Sequence, residues 1–206
     1  MADIDTAMMS YAPHLLELWK RQDYSMLEKS KASDYIKNIL TFKAPRRKPG
    51  QDDKGTRFFG EAFVASQIPM LAGWYNSYQW LKWKDDENAW LTGNGLNKGK
   101  DEPINFRKIF YEQAIMKYIG VENLRKFHQI AKKVQKGNEH SSTYLKAPDL
   151  FIVDKKNSFL FLEVKLPGDP FDELQELALT MIEKHLKTSG NNPVIVKKIR
   201  LESKAR

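Results

Sequence analysis

The sequence predicts an α/β domain, a mixed sheet flanked by helices, preceded by a helical N-terminal extension. Three observations carry this. The last third alternates short apolar runs of strand length with one long amphipathic pattern. The chain has 206 residues, enough for one α/β domain with additions. Hydrophobic residues make up 41% and five tryptophans are present, so there is material for a core and no reason to expect wholesale disorder.

In chain order, residues 5–42 read as mostly helical, with apolar positions such as Leu15, Leu18, Trp19, Tyr35, Ile36, Ile39 and Leu40. The stretch KAPRRKPGQDDKGT, 43–56, is a linker or loop in which Arg46, Arg47 and Lys48 form a cluster able to contact phosphate. Residues 1–56 are therefore a helical extension and basic linker. From Arg57 a helical pattern runs through GEAFVASQIPMLAGW, kinked or ended by Pro69 and closed by Gly73. YNSYQWLKWK, 75–84, has the aromatic density of a strand. INFRKIFYEQAIMKYIG is a helix ending at Gly120, and residues 121–135 form another. Residues 85–140 would be a helical insertion in the 57–206 domain.

DLFIVD and FLFLEVKL are strands, and the KKNS between them is turn chemistry, so an antiparallel hairpin is expected. Asp169 can cap a helix with Pro170 at its first position. That helix runs to about Lys187, and PVIVKKIRL is a final strand.

Composition narrows the partners. No apolar stretch approaches the ~18–20 residues of a membrane span. MADIDTAMMS lacks the basic and apolar regions of a secretory signal. There is no cysteine, hence no disulfide, thiolate metal site or thiol nucleophile. A soluble intracellular, cytoplasmic protein is expected, associated with nucleoid or nucleus when bound to DNA. The formal charge of +8 favours a polyanionic partner, most commonly nucleic acid.

One patch has the residues for chemistry. Side chains alternate along a strand, so Glu163 and Lys165 share a face. A turn near 155–158 brings Asp149 close to Glu163. Two carboxylates and an ammonium suit metal-assisted hydrolysis of a phosphodiester. Carboxylate oxygens hold a hard cation such as Mg²⁺, and a neighbouring lysine orients or deprotonates water. Gln175 falls on the apolar arc of the following helix and needs polar partners beneath it. The histidines show no metal-ligand spacing, and GNGLNKGK lacks the ending of a P-loop.

Pro148–Asp149 followed by Glu163–Lys165 resembles the signature of the PD-(D/E)XK nuclease superfamily. EVKLPGDPFDELQ is similar to the virus-type replication-repair nuclease (VRR-NUC) family, with Pro167, Gly168, Asp169 and Gln175 in register. Leu166 stands where that family has glycine, and Phe171–Asp172 where it has Leu-Ser; the likeness covers about residues 147–187. It implies a restriction-endonuclease-like core of helix, three-stranded meander, helix and strand, with Mg²⁺ or Mn²⁺ between acidic residues. Asp149 and Glu163 would ligate the metal, joined by the Val164 carbonyl. Lys165 would act on the attacking water, and Gln175 would orient Lys165 or a phosphate.

The resemblance also implies a glutamate on the first core helix. Glu61 and Glu112 compete for that place, each an acid on an apolar arc; Glu61 is preferred for its position before the meander. Arg46, Arg47 and Lys48, with Lys197, Lys198 and Arg200 in the C-terminal segment, could track the DNA backbone. The implied activity is metal-dependent, structure-specific DNA cleavage in repair, replication or recombination. The rivals are a restriction endonuclease, a dimeric Holliday-junction resolvase, and a non-catalytic nucleic-acid-binding protein.

Overall fold

The computed structural model describes residues 4–45, 56–75, 80–81, 87–136 and 145–204. Its centre is a five-stranded mixed sheet formed by β1 (Thr6–Tyr11), β2 (Met70–Tyr75), β3 (Leu150–Asp154), β4 (Phe159–Lys165) and β5 (Val194–Ser203), in the order β1-β5-β4-β3-β2. Pairings β2–β3 and β3–β4 are antiparallel; β4–β5 and β5–β1 are parallel. The hairpin expected at 155–158 forms. Asp154 Oδ1 accepts from the N–H groups of Lys156 (2.7 Å) and Ser158 (2.8 Å), and Asn157 takes the left-handed conformation.

The helices are α1 (Pro13–Lys20), α2 (Ser25–Glu28), α3 (Asp34–Lys43), α4 (Phe59–Gln67), α5 (Glu87–Thr92), α6 (Phe106–Phe110), α7 (Val121–Lys136) and α8 (Glu173–His185), with a π-helical segment at Tyr111–Ile119. Among the described residues no helix is long and apolar enough to cross a membrane.

Helices α3 and α4 cover the sheet face that carries Ile152 and Val164, and Tyr11 of β1 meets the rings of Phe59 and Phe63 there. The other face carries Phe151, Phe159 and Phe161. Trp80 stacks on Phe161 (6.0 Å between centroids), and Tyr118 packs edge-on against Phe159 (5.5 Å).

Four expectations are corrected. Residues 6–11 form a strand, not the start of a helical extension. Met and Ala favour helix weakly, and the parallel ladder with β5 overrides that preference while seating Tyr11 in the core. Second, the helix is not closed by Gly73, which lies within β2, but ends at Gln67, just before Pro69, as one of the two roles expected of that proline has it. Pro69 separates α4 from β2, which lies at the sheet edge, where a missing N–H nearby is tolerated. Third, the aromatic strand is therefore Met70–Tyr75, and it ends where YNSYQWLKWK was expected to begin. Trp80 and Leu81 lie in a turn and are buried. The rest of that stretch, 76–79 and 82–84, Trp83 included, lies outside the described residues.

The fourth concerns α8, which starts at Glu173 and is capped by Asp172, not Asp169. Asp172 Oδ1 accepts from Leu174 N–H (2.9 Å), and its other oxygen takes the Lys146 ammonium (2.7 Å). Those bonds fix the later aspartate as the cap.

The approach of α4 to the sheet is close. A Cβ on Gly60 would sit 3.1 Å from Val164 Cγ1 and 3.5 Å from Leu201 Cδ1. A larger side chain must lift α4 from β4. Gly60→Leu is expected to lower stability by about 1–3 kcal/mol, read by urea unfolding, with Gly60→Ala much milder.

Candidate functional site

The β3–β4 ladder pairs Leu150 with Leu162, so one step further Asp149 faces Glu163. Asp149 Oδ2 accepts a hydrogen bond from Val164 N–H at 2.9 Å, which ties the residue before β3 to the end of β4. Glu163 has no solvent exposure. Its Oε1 receives the Lys165 ammonium at 2.7 Å, and its Oε2 is buried and accepts no hydrogen bond. Glu61, in the first turn of α4, is brought beside this pair by the Gly60 contact with Val164.

Three carboxylates therefore share one ammonium in a poorly hydrated place. Burial pushes the Glu61 carboxyl up to about 8, and the Asp149 charge adds to it, while Lys165 and Arg57 oppose. Burial raises Asp149 to about 6 against the Val164 N–H and Lys165. Burial, then the Asp149 charge, takes Glu163 to about 8. Burial alone would lower Lys165, but Glu163, Asp149 and Glu61 outweigh it, and its pKa rises. Such a cluster has a deficit of positive charge.

The donor set suits a hard divalent cation: carboxylate oxygens, one of them an orphaned buried acceptor, close to a strand-end carbonyl at Val164. Among the described residues no three acidic or imidazole side chains yet stand at ligating distance of one point. Lys165 holds Glu163 Oε1 instead.

Of the residues expected at the site, Asp149, Glu163, Lys165, Val164 and Glu61 come together. Glu112 does not. It lies on the π-helical segment, 53% exposed at the side chain, 3.9 Å from Lys108. The apolar arc inferred for it assumed a 3.6-residue period, and the i→i+5 bonding of a π-helix breaks that period. Met116, four residues further along the segment, is 52% exposed as well.

Gln175 serves the start of α8. Its Oε1 accepts from Asp172 N–H (3.3 Å), completing a capping box, so the expected orientation of Lys165 is not what that oxygen does.

Lys198 and Arg200 are the ladder partners of Glu163 and Lys165 and share their face. Both lie over the Phe171 ring (5.3 and 5.0 Å). Lys198 is also paired with Glu176 at 3.1 Å, and Arg200 donates to the Asp169 carbonyl at 3.1 Å. Lys197 projects from the opposite face, away from that row. Arg46, Arg47 and Lys48 lie outside the described residues.

Two neighbours went unread in the sequence. Tyr75 ends β2 opposite Leu150, one residue from Asp149, and is buried; its hydroxyl is held well above its usual pKa by burial and by Glu61, Asp149 and Glu163. Arg57 precedes Glu61 by four residues, one helical turn, at the entry to α4. The aromatic run around Tyr75 offered a signal, but without the true strand boundary it could not be aligned with Asp149.

No protein-family model, curated protein or solved structure matches the chain.

Proposed function

We propose that the chain is a metal-dependent nuclease that hydrolyses phosphodiester bonds in DNA. The observation that carries this is the meeting of Asp149, Glu163 and Lys165 at one sheet end, with Glu61 brought in from the helix before the meander. The order α4, β2, β3, β4, α8, β5 supports the same conclusion, since the resemblance at 147–187 implies a helix, three-stranded meander, helix and strand.

Glu61, Asp149, Glu163 and the Val164 carbonyl would hold Mg²⁺ or Mn²⁺. A bound divalent ion of this kind lowers the pKa of a coordinated water and offsets charge on the phosphate. The protein's own groups do the rest. Lys165, whose ammonium stands at Glu163 Oε1, would donate to the attacking water or to a phosphate oxygen. Val164 N–H keeps Asp149 aimed at the site by its 2.9 Å bond. Lys198 and Arg200, one strand away, give the row a positive flank for the backbone on either side of the scissile bond.

The test is a panel of linear, flapped, branched and single-stranded DNA with Mg²⁺ or Mn²⁺. Cleavage is expected, abolished by EDTA and reduced by about 10³-fold or more in Asp149→Ala, with circular dichroism unchanged. Binding to the panel without cleavage of any member would instead identify a non-catalytic DNA-binding protein.

A further inference from the structure

Tyr75 is a phenol at the sheet end where the carboxylates meet, and it is only 6% exposed. Register places it there. Tyr75 pairs with Leu150 and Leu150 with Leu162, so the next step along these strands is Asp149 and Glu163. The Phe58 ring meets it edge-on at 5.3 Å between centroids, and the Lys43 ammonium lies 5.9 Å from its centroid. Phe58 is the N-cap of α4, and Glu61 follows it by three residues, about one turn. The contact that seats the phenol thus brings the first turn of α4 alongside it. Of the charges that bear on the Tyr75 hydroxyl, that of Glu61 is the largest, ahead of Asp149.

Packing against Phe58 asks only for a ring, and phenylalanine would supply one. Taking a hydroxyl out of water is unfavourable unless an acceptor faces it, so a buried phenol marks an acceptor nearby. The three carboxylates are the acceptors at this sheet end, and they differ in what holds them. Asp149 Oδ2 takes the Val164 N–H at 2.9 Å, and Glu163 Oε1 takes the Lys165 ammonium at 2.7 Å. The hydrogen bond that steadies Glu61 comes from its own backbone N–H and not from another element. Among the described residues no three acidic side chains yet converge on one point, and Glu61 is the one whose aim is left open.

A phenol is suited to fix that aim. It is protonated below about pH 10, donates one O–H and carries no charge. A lysine in its place would hold the carboxylate but repel a cation beside it. Burial also decides what the hydroxyl acts on: beneath the surface it reaches the protein's own carboxylate and not a DNA strand.

We propose that the Tyr75 hydroxyl is a positioning donor for Glu61, bonding one oxygen of the ionised carboxylate and so holding the other toward the cation shared with Asp149 and Glu163. The inference rests on the reading of these carboxylates as a divalent-metal site, and it is measurable without DNA or cleavage.

The experiment is binding of Mn²⁺ alone at pH 8, followed by the electron paramagnetic resonance of the free ion. Four forms of the whole chain are compared: wild type, Tyr75→Phe, Glu61→Gln and the double variant. Tyr75→Phe keeps the ring and its contact with Phe58, and is expected to weaken Mn²⁺ binding about tenfold. In the Glu61→Gln background the same change should alter affinity by less than about twofold, because the carboxylate it acts through is gone. Urea unfolding in EDTA should give wild type and Tyr75→Phe the same midpoint, which a merely structural hydroxyl would not. Unaltered Mn²⁺ affinity in Tyr75→Phe, or an equal fall in both backgrounds, would overturn the inference and leave the metal site standing. Failure of the wild type itself to bind Mn²⁺ would overturn the metal site, and the inference with it.

Discussion

Glu163→Gln and Lys165→Ala are both expected to abolish cleavage, and to move stability in opposite directions at pH 8.5. Glutamine is nearly the shape of glutamate, so the side chain with no solvent exposure keeps its packing while one buried charge disappears. Three carboxylates shared one ammonium; two remain, and mutual repulsion falls. Unfolding at pH 8.5 should show a gain of about 1–3 kcal/mol. Lys165→Ala removes the cation that bonds Glu163 (2.7 Å) and leaves the carboxylates undercompensated, a loss of about 3 kcal/mol. Part of that loss is recovered by proton uptake, so the deficit should shrink at pH 5.5. Urea unfolding of the three proteins at both pH values, with cleavage measured alongside, checks the pair. A destabilised Glu163→Gln would mean that its carboxylate is held by favourable interactions, contrary to a site waiting for positive charge.

The second large effect is the pH dependence of the metal-free protein. Glu61 and Glu163 rise from 4.5 to about 8, and Asp149 from 3.8 to about 6. Between these values the folded chain binds protons that the unfolded chain has released. Stability is therefore fully present below about pH 4, where both states are protonated at these groups. It declines as pH climbs through 6 and then 8. Each extra proton held by the folded state costs about 1.4 kcal/mol per pH unit of increase. In EDTA the melting temperature should fall steadily from pH 5.5 to 8.5. Mg²⁺ or Mn²⁺ at pH 8.5 should recover much of the loss, because a cation that binds only the folded state stabilises it. A melting temperature in EDTA that is flat or rising over that range would refute the buried three-carboxylate cluster.

How far the sequence led can be judged residue by residue. Asp149, Glu163 and Lys165 were legible because their meeting needs only a period of two and one four-residue turn, both local. Choosing Glu61 over Glu112 was harder, since it required tertiary knowledge. Gly60 lets α4 lie against Val164, whereas a π-helical register turns Glu112 outward. The start of α8 was misjudged because Asp169 and Asp172 are both competent caps. The Lys146 ammonium, 26 residues away, bonds to the second one. Residues 6–11 mix strand formers (Thr6, Tyr11) with helix formers (Ala7, Met8, Met9), and the pairing with β5 decides their conformation. Tyr75 stayed out of reach because its alignment with Asp149 depends on where β2 ends.

The pairing of β1 with β5 has a kinetic consequence. The β3–β4 hairpin and the β4–α8–β5 unit join neighbours in the chain, so they close short loops, whereas β2 reaches β3 only across the helices between residues 76 and 149. β1 pairs with β5, its one sheet partner among the described residues, almost the full described length away, and must wait for it. Until then β5 exposes a long unpaired edge that opens on Val194, Ile195 and Val196 and goes on with Lys197, Lys198 and Arg200 among Ile199 and Leu201. The late step in folding is thus the return of the N-terminal strand, and the lysines and arginine of β5 act during that interval as guards against pairing with another chain.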